Sequence, residues 1–224
     1  MIADHSSDLT GGPFPEAAQA WVRALQQGLS AAERPQLDDL SEYASTSDYA
    51  PQTLKRIFAS VLSMGRELGL MEQAMALLAG QEAALRQLRV DIGIGRAAAE
   101  ETLPRAVVLV WKEHSWMSPG RWVPDVLDRA AAFDPLHLAV KGDLAWQEIV
   151  TEETGEVDHL FVMAHAFGDK PPSDAIHGLE QHIPHGRLHE IDSPSDWLSP
   201  GPGVMRAIFD AASRMHGVAD LFST

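Results

Sequence analysis

The spacing of apolar residues along the chain changes near residue 104. Before this point, apolar residues recur at intervals of three and four, which places them on one face of an α-helix. This spacing predicts helices that begin near residues 15, 35, 51 and 71, with Pro51 in the first turn of the third helix and a break at Gly69. No strand pattern occurs here, so we expect a flexible tail over residues 1–14 and a helical bundle over residues 15–100.

After residue 104, short apolar runs rich in β-branched residues alternate with helical patterns. The runs predict strands over residues 105–111, 136–140, 159–164 and 187–191. Helices are predicted over residues 121–133, 144–154, 173–183 and 202–215, the third of them with Ser173 as its N-cap. Alternating strands and helices indicate right-handed βαβ units and a parallel sheet. The predicted fold class is therefore α/β, with an N-terminal helical bundle followed by a Rossmann-like parallel α/β domain over residues 104–224.

Composition narrows the range of functions. The 17 basic and 32 acidic residues give a formal net charge of −15, which provides no positive field for the phosphate backbone of nucleic acids. The absence of cysteine excludes disulfides and thiolate chemistry. No apolar run reaches the roughly 18 residues of a membrane span, and residues 1–5 lack the basic and apolar regions of a signal peptide. A cytoplasmic location is the expectation.

His114 is the first candidate for binding chemistry because it follows the first predicted strand. Ligands bind outside the carboxyl ends of the strands in parallel sheets, and a neutral imidazole can ligate a metal or the cobalt of a corrin. Trp116 and Trp122 would supply aromatic walls, and Glu113 or Asp143 would orient the imidazole through its second nitrogen. The alternative is a loop histidine that packs on tryptophan without any ligand.

His165 holds the equivalent position after the third predicted strand. It is either a second wall of the pocket or the ligand itself, unless it only caps a helix. Three methionines, Met64, Met71 and Met75, share one helical segment. Such methionines usually fill a core, and the alternative is an adaptable apolar lid over a bulky cofactor.

Other motifs carry weaker signals. His182, His185 and His189 have the spacing of zinc ligands, but a solvated turn accounts for them as well. Residues 37–59 faintly resemble a helix-turn-helix, although the segment is acidic and therefore poorly suited to DNA. The chain contains no Gly-x-Ser-x-Gly elbow, no dinucleotide-binding glycine motif and no P-loop. Serine hydrolases and nucleotide enzymes are thus disfavoured.

The order of a helical bundle, repeated βα units and a histidine after the first strand resembles the cobalamin-binding module of methionine synthase-like and light-sensing regulators. The motif of that family is Asp-x-His-x-x-Gly. His114 matches its histidine, whereas Lys112 and Met117 stand at the Asp and Gly positions. The layout over residues 15–215 is also similar to a divergent branch, the small antirepressors of photosystem genes in purple bacteria and the related heme-sensing domains.

This resemblance implies a light- or redox-responsive regulator of transcription, that is, a photoreceptor or redox sensor. It would bind cobalamin, or alternatively heme, between the bundle and the sheet, with His114 as the metal ligand. The implied partner is a DNA-binding repressor protein, with no direct contact to nucleic acid or membrane. Two alternatives remain open. One is a metal- or acid/base-dependent enzyme that uses His114, His165, Glu113 and Asp169, and the other is a cofactor-free protein-interaction module.

Overall fold

The computed structural model describes residues 14–27, 29, 51, 53–99, 102–136, 157–168, 170–183 and 187–218 of the 224-residue chain. The helices are α1 (Phe14–Leu25), α2 (Leu54–Glu67), α3 (Met71–Ala99), α4 (Val123–Arg129), α5 (Ser173–His182), α6 (Pro194–Leu198) and α7 (Gly203–His216). The strands are β1 (Ala106–Lys112), β2 (Ser115–Met117), β3 (His159–Met163) and β4 (Arg187–Glu190). Within this described part, no helix is both long enough and apolar enough to cross a bilayer.

The described strands form one sheet in the order β2-β1-β3-β4. β1, β3 and β4 run parallel, with Val108 opposite Phe161 and Phe161 opposite His189. β2 pairs antiparallel with β1. β1 and β3 are buried along almost their whole length, which is typical of parallel strands covered on both faces. The predicted α/β class with a mainly parallel sheet is confirmed.

Apolar side chains cover both faces of the sheet. On one face, Val107, Leu109 and Val162 pack with Leu179 of α5 and with Ile183 at its end. On the other face, the alternate residues of β1 and β3 belong to a larger cluster that also includes residues of α4, α6 and α7. This cluster continues into α1, α2 and α3, and its members include Trp21, Val61, Leu88, Val108, Phe161 and Val204. The N-terminal helices and the sheet therefore share one continuous core.

Polar contacts reinforce the junction between the N-terminal helices and the α/β part. The carboxylate of Asp125 in α4 accepts a hydrogen bond of 2.8 Å from the backbone N–H of Leu54, the first residue of α2. The side chain of Thr53, the N-cap residue of α2, accepts a hydrogen bond from the backbone N–H of Arg56. In α1, the indole Nε1 of Trp21 donates a hydrogen bond of 2.7 Å to the carbonyl of a distant proline between α6 and α7, Pro200.

Several predicted boundaries change in the structure. The predicted break at Gly69 is confirmed, because α2 ends at Glu67 and Gly69 has a φ of +69°. Pro51, however, precedes α2 rather than occupying its first turn. Ser173 is the first helical residue of α5 rather than its N-cap, which is Pro172. α4 is shorter than the helix predicted over residues 121–133, and the short helix α6 was not predicted. Outside the described residues lie the helices predicted over residues 35–44 and 144–154 and most of the strand predicted over residues 136–140.

Candidate functional site

The carboxyl ends of β1, β3 and β4 lie along one edge of the sheet, because these strands are parallel. Ligands of parallel α/β sheets bind at this edge. Three segments leave it, namely the turn at Glu113 and His114 after β1, residues 164–168 after β3 and residues 191–193 after β4. Side chains on these segments are the candidates for a binding site.

His114, which follows the first predicted strand, lies in a tight hairpin turn. It is the second residue of a two-residue turn, because β1 and β2 pair from Lys112 opposite Ser115. Glu113 and His114 have φ values of +51° and +64°, as the type I′ turn of a twisted hairpin requires. His114 is exposed in this turn, so its imidazole is accessible.

His165 is exposed on the turn that follows β3. β1 and β3 are neighbours, so this turn leaves the sheet beside the end of β1. Phe167 on the same turn is half-buried, and Lys112 Nζ lies 5.7 Å from the centroid of its ring. Lys112 Nζ also lies 3.7 Å from the carboxylate of Glu113. The carboxyl edge thus carries a histidine, an aromatic ring and an ammonium group close together.

The two tryptophans predicted as pocket walls are held in the core. Trp122 is fully buried, and its indole donates a hydrogen bond of 2.8 Å to the carbonyl of Trp197. Trp116 is also buried, packs edge-on against Trp111 with ring centroids 5.2 Å apart, and donates to the carbonyl of Ala175 at 3.3 Å. Both rings therefore pack inside the protein and stabilise the strands and helices next to the carboxyl edge of the sheet.

The three candidate methionines lie in different surroundings. Met64 of α2 is fully buried, Met71 is half-buried at the start of α3, and Met75 is 60 % exposed. The buried side of α3 carries Ala74 and Leu85, and Met75 lies on another side of the helix. The three side chains consequently do not share one surface.

Two cavities lie near the end of β4, and the sequence reasoning did not identify them. The first, of about 180 Å³, includes Asp192, Asp210 and Arg214 in its lining. The second, of about 320 Å³, lies between α1 and the loop that joins α6 to α7. Both cavities are lined by Asp196 and Arg206, whose side chains form a two-point ion pair with N···O distances of 2.9 and 2.5 Å. The hydrogen bond to Asp196 raises the pKa of Arg206.

A sequence signal for this region exists in the run of proline and glycine over residues 200–203. Such runs mark turns, and this one joins α6 to α7 at the rim of the second cavity. The backbone of Gly203 approaches Asp196 so closely that a Cβ there would overlap the carboxylate. The glycine therefore allows Asp196 to reach its position against α7.

His189, predicted as one of three zinc-spaced histidines, has another partner. Its Nε2 lies 2.9 Å from Nδ1 of His159 and the rings are stacked, so one nitrogen donates a hydrogen bond and the other accepts it. Burial lowers the pKa of His159 to about 4 and also lowers the pKa of His189, which keeps both rings neutral at pH 7.

Four further candidate residues remain, namely His182, His185, Asp143 and Asp169. The side chain of His182 and the other three residues lie outside the described part of the chain. Among the residues that the structure describes, no three histidine, aspartate or glutamate side chains are grouped to hold a metal ion. The described residues thus give no ligand set for the metalloenzyme alternative.

No protein-family model and no curated protein sequence matches this chain. Its fold is nevertheless shared with solved structures. A periplasmic heme-binding protein from Pseudomonas aeruginosa aligns with a TM-score of 0.58 at 14 % identity, covering 93 % of this chain and 92 % of that protein. The periplasmic vitamin B12-binding protein BtuF of Vibrio cholerae aligns with a TM-score of 0.51 at 12 % identity, covering 81 % of this chain and 70 % of that protein.

A third similar structure is an ABC transporter substrate-binding protein from Listeria monocytogenes EGD-e. It aligns with a TM-score of 0.54 at 10 % identity and covers 74 % of this chain. This chain spans 66 % of the length of the Listeria protein, just under two thirds. At these identities the likeness establishes the fold alone.

These comparisons correct the interpretation drawn from the sequence. The similar structures are binding proteins of the periplasm or of ABC transporters. The predictions of an antirepressor of transcription, of a photoreceptor, of a cytoplasmic location and of a DNA-binding repressor as partner are therefore wrong. The broader prediction, a fold that serves tetrapyrrole binding, agrees with two of the three proteins, which bind heme and vitamin B12.

Proposed function

We propose that this chain is a binding protein for a metal tetrapyrrole, which it holds at the carboxyl edge of its sheet. The observation that carries the proposal is the fold shared with a periplasmic heme-binding protein over nearly the whole of both chains. The two histidines that follow β1 and β3 lie at the edge where such sheets bind ligands.

The axial ligand of the metal is His165, with His114 as the second candidate. An imidazole nitrogen is a common ligand of heme iron. His165 is exposed, and the next residues of its turn, Ala166 and Phe167, pack against the core. That packing fixes the turn. His114 depends instead on a two-residue hairpin turn with two left-handed residues, so its side chain has less support.

The neighbours of His165 suit a flat, anionic macrocycle. The ring of Phe167 offers an apolar surface on which a tetrapyrrole can stack. The ammonium group of Lys112, close to that ring, is placed to pair with a propionate. Heme carries two propionates, whereas the corrin of cobalamin carries neutral amides. Heme is therefore the preferred ligand and cobalamin the alternative.

The proposed role is capture of the ligand outside the cytoplasm and its delivery to a membrane transporter. The basis is the description of the Listeria structure as an ABC transporter substrate-binding protein. This role replaces the regulatory partner with a transporter subunit, and it requires no chemical change of the ligand.

The test is a visible absorption titration of the purified protein with hemin and, separately, with hydroxocobalamin. We expect hemin to remain bound after desalting with a shifted Soret band, and His165→Ala to weaken binding at least about tenfold. His177→Ala is the matched control, because His177 is an exposed histidine on α5, away from the carboxyl edge. His114→Ala is measured in parallel.

The outcomes distinguish heme from cobalamin as the ligand, and His165 from His114 as the axial residue. Retention of hydroxocobalamin alone would replace heme with cobalamin. A loss of affinity in His114→Ala but not in His165→Ala would make His114 the axial ligand in place of His165. A protein that retains neither compound, or that binds equally well in both variants, would refute the proposed site.

A further inference from the structure

We propose that the outward face of α3 is a dimer interface at which two copies of this chain pack α3 against α3 in antiparallel orientation. The outward face consists of Met75, Ala79, Ala83, Arg86, Val90 and Ile94. The proposal is independent of the ligand and of the carboxyl edge.

α3 is apolar on two opposite sides. Its buried side carries Ala74, Leu85, Leu88 and Ile92, as expected for a helix packed on a core. The opposite side is also apolar, with Met75 60 %, Val90 52 % and Ile94 66 % exposed. These are three of the five large hydrophobic residues that are exposed in the described part of the chain. Ala79 and Ala83 lie between Met75 and Val90, and Arg86 is the one charged residue of the six. Exposed apolar residues gathered on one helix face are typical of an interaction surface.

The spacing along the outward face selects a second copy as the occupant. Its six residues are separated by four, four, three, four and four positions, a series that reads the same in both directions. A two-fold axis that passes between two copies of the helix, level with the midpoint of Ala83 and Arg86, therefore places the two strips against each other in reverse order. Met75 then meets the partner copy at its Ile94 position, and Ala79 meets the Val90 position. Self-complementary patches are what a two-fold symmetric dimer requires.

The charges beside the strip fit the same arrangement. Glu82 and Arg89 lie along one edge of the outward face, and both are exposed. In an antiparallel pair the same edges meet, so each Glu82 comes within two residues, about 3 Å along the helix axis, of the Arg89 position of the other copy. Two opposite-charge pairs can form across the axis, whereas a parallel pair brings opposite edges together and would leave Glu82 and Arg89 of the two copies on different sides of the interface. Such pairs contribute orientation more than affinity.

Small residues allow the helices to approach closely. A Cβ placed on Gly80 or Gly93 would meet nothing within 4 Å, so the surface around the strip is open. The strip from Met75 to Ile94 extends about 29 Å at 1.5 Å per residue. This length corresponds to about five turns of helix.

Light scattering after size-exclusion chromatography over a concentration series tests the proposal. We expect a dimer whose dissociation constant rises at least about tenfold in Ile94→Glu, since a buried apolar contact becomes a charge. Gln19→Glu on α1 introduces the same charge at an exposed position outside the strip and should leave the dimer intact. A monomer at all concentrations, or a dimer unaffected by Ile94→Glu, would overturn the assignment. Circular dichroism verifies that both variants fold.

Cross-linking tests the antiparallel orientation, and the absence of native cysteine makes single-cysteine variants unambiguous. The two copies of residue 83 lie about 4.5 Å apart along the axis of the proposed pair, and those of residue 76 about 25 Å apart, at 1.5 Å per residue. A short bis-maleimide should therefore link Ala83→Cys and not Ala76→Cys. Equal linkage of both variants would indicate a parallel pair and would refute the proposed orientation.

Discussion

His159, which is buried, and His189, which is half-buried, form a polar pair on the face of the sheet that packs against α7. Phe161 stacks on His189 with centroids 4.8 Å apart, which removes the pair further from solvent. The charges around the pair are Arg187 and Asp158 near His159, and Arg214 and Asp210 near His189. His216, which donates to a backbone carbonyl, also disfavours a charge on His159. If both rings were protonated, the two facing nitrogens would both be donors, and neither could accept the hydrogen bond.

This pair predicts loss of stability in mild acid. The pKa of His159 is about 4 in the folded protein, below the ordinary value of about 6.5 for unfolded chains. Between these values the unfolded state binds more protons, so the free energy of unfolding falls as pH falls from 6.5 to 4. We expect His159→Gln to make the free energy of unfolding less dependent on pH in this range, reducing its change by about 1–2 kcal/mol. Urea unfolding at several pH values measures it. His177→Gln is the control, and an unchanged slope in His159→Gln would contradict the prediction.

We expect the substitution of glycine by alanine to have opposite effects on stability at two helical positions. Gly203→Ala would press a methyl group on Asp196 and disturb its ion pair with Arg206, so we expect a loss of about 1–3 kcal/mol. Gly178 in α5 has open space around it, so Gly178→Ala should stabilise by about 0.5–1 kcal/mol. Thermal unfolding measures both. Equal effects in the two variants would show that helix propensity, and not contact with Asp196, dominates at residue 203.

Single residues also show where sequence reasoning was limited. The position of His165 after β3 followed from strand order alone. The burial of Trp122 could not be predicted from the sequence, because its partner Trp197 lies 75 residues away. Periodicity carries no information about such contacts. The pairing of His159 with His189 was equally hidden, since it depends on the register of β3 and β4.

At the scale of elements, α2 depends on a residue of another helix. Asp125→Ala removes the acceptor for the Leu54 N–H and should cost about 1 kcal/mol, the usual loss for a missing helix cap. Asp128→Ala is the matched control, because Asp128 lies on the same helix and its side chain forms an exposed ion pair of 3.8 Å with Arg89. Chemical denaturation compares the two variants. A control that loses as much stability as Asp125→Ala would contradict a capping role.

Most of the described elements were predictable, whereas β2 and α6 were not. β1 and β3 have continuous apolar runs, which is how buried parallel strands are identified. β2 has three residues, and the turn before it lacks the glycine or asparagine that normally marks a type I′ hairpin. α6 has five residues, too few to show a helical period. Local signals of this length cannot be separated from those of loops.

At the scale of the whole molecule, the core makes no division at residue 104. The chemical character of the chain changes there, and the sequence correctly indicates where the first strand begins. The contacts nevertheless cross this point, since Trp21 and Val61 belong to the same apolar cluster as Val108 and Val204. Composition and periodicity describe each part separately and do not specify how the parts pack.

This continuity predicts a single unfolding transition. α1, α2 and α3 lose much of their apolar contact if the sheet unfolds, so they should not remain folded alone. Far-ultraviolet circular dichroism, which reports mainly on helices, and tryptophan fluorescence should give coincident urea curves. Two separate midpoints would show that the helical part is an independent domain.

The hydrogen bond between Trp21 and Pro200 joins residues 179 positions apart. Ribosomes add about 5–20 residues per second, so α1 is made roughly 10 to 35 s before its acceptor exists. The apolar side of α1, with Trp21, Val22 and Leu25, can pack on α2 and α3 within that time, because these helices belong to the same cluster and are made soon after it. The indole N–H of Trp21 must therefore bind water or another acceptor until the segment between α6 and α7 has emerged.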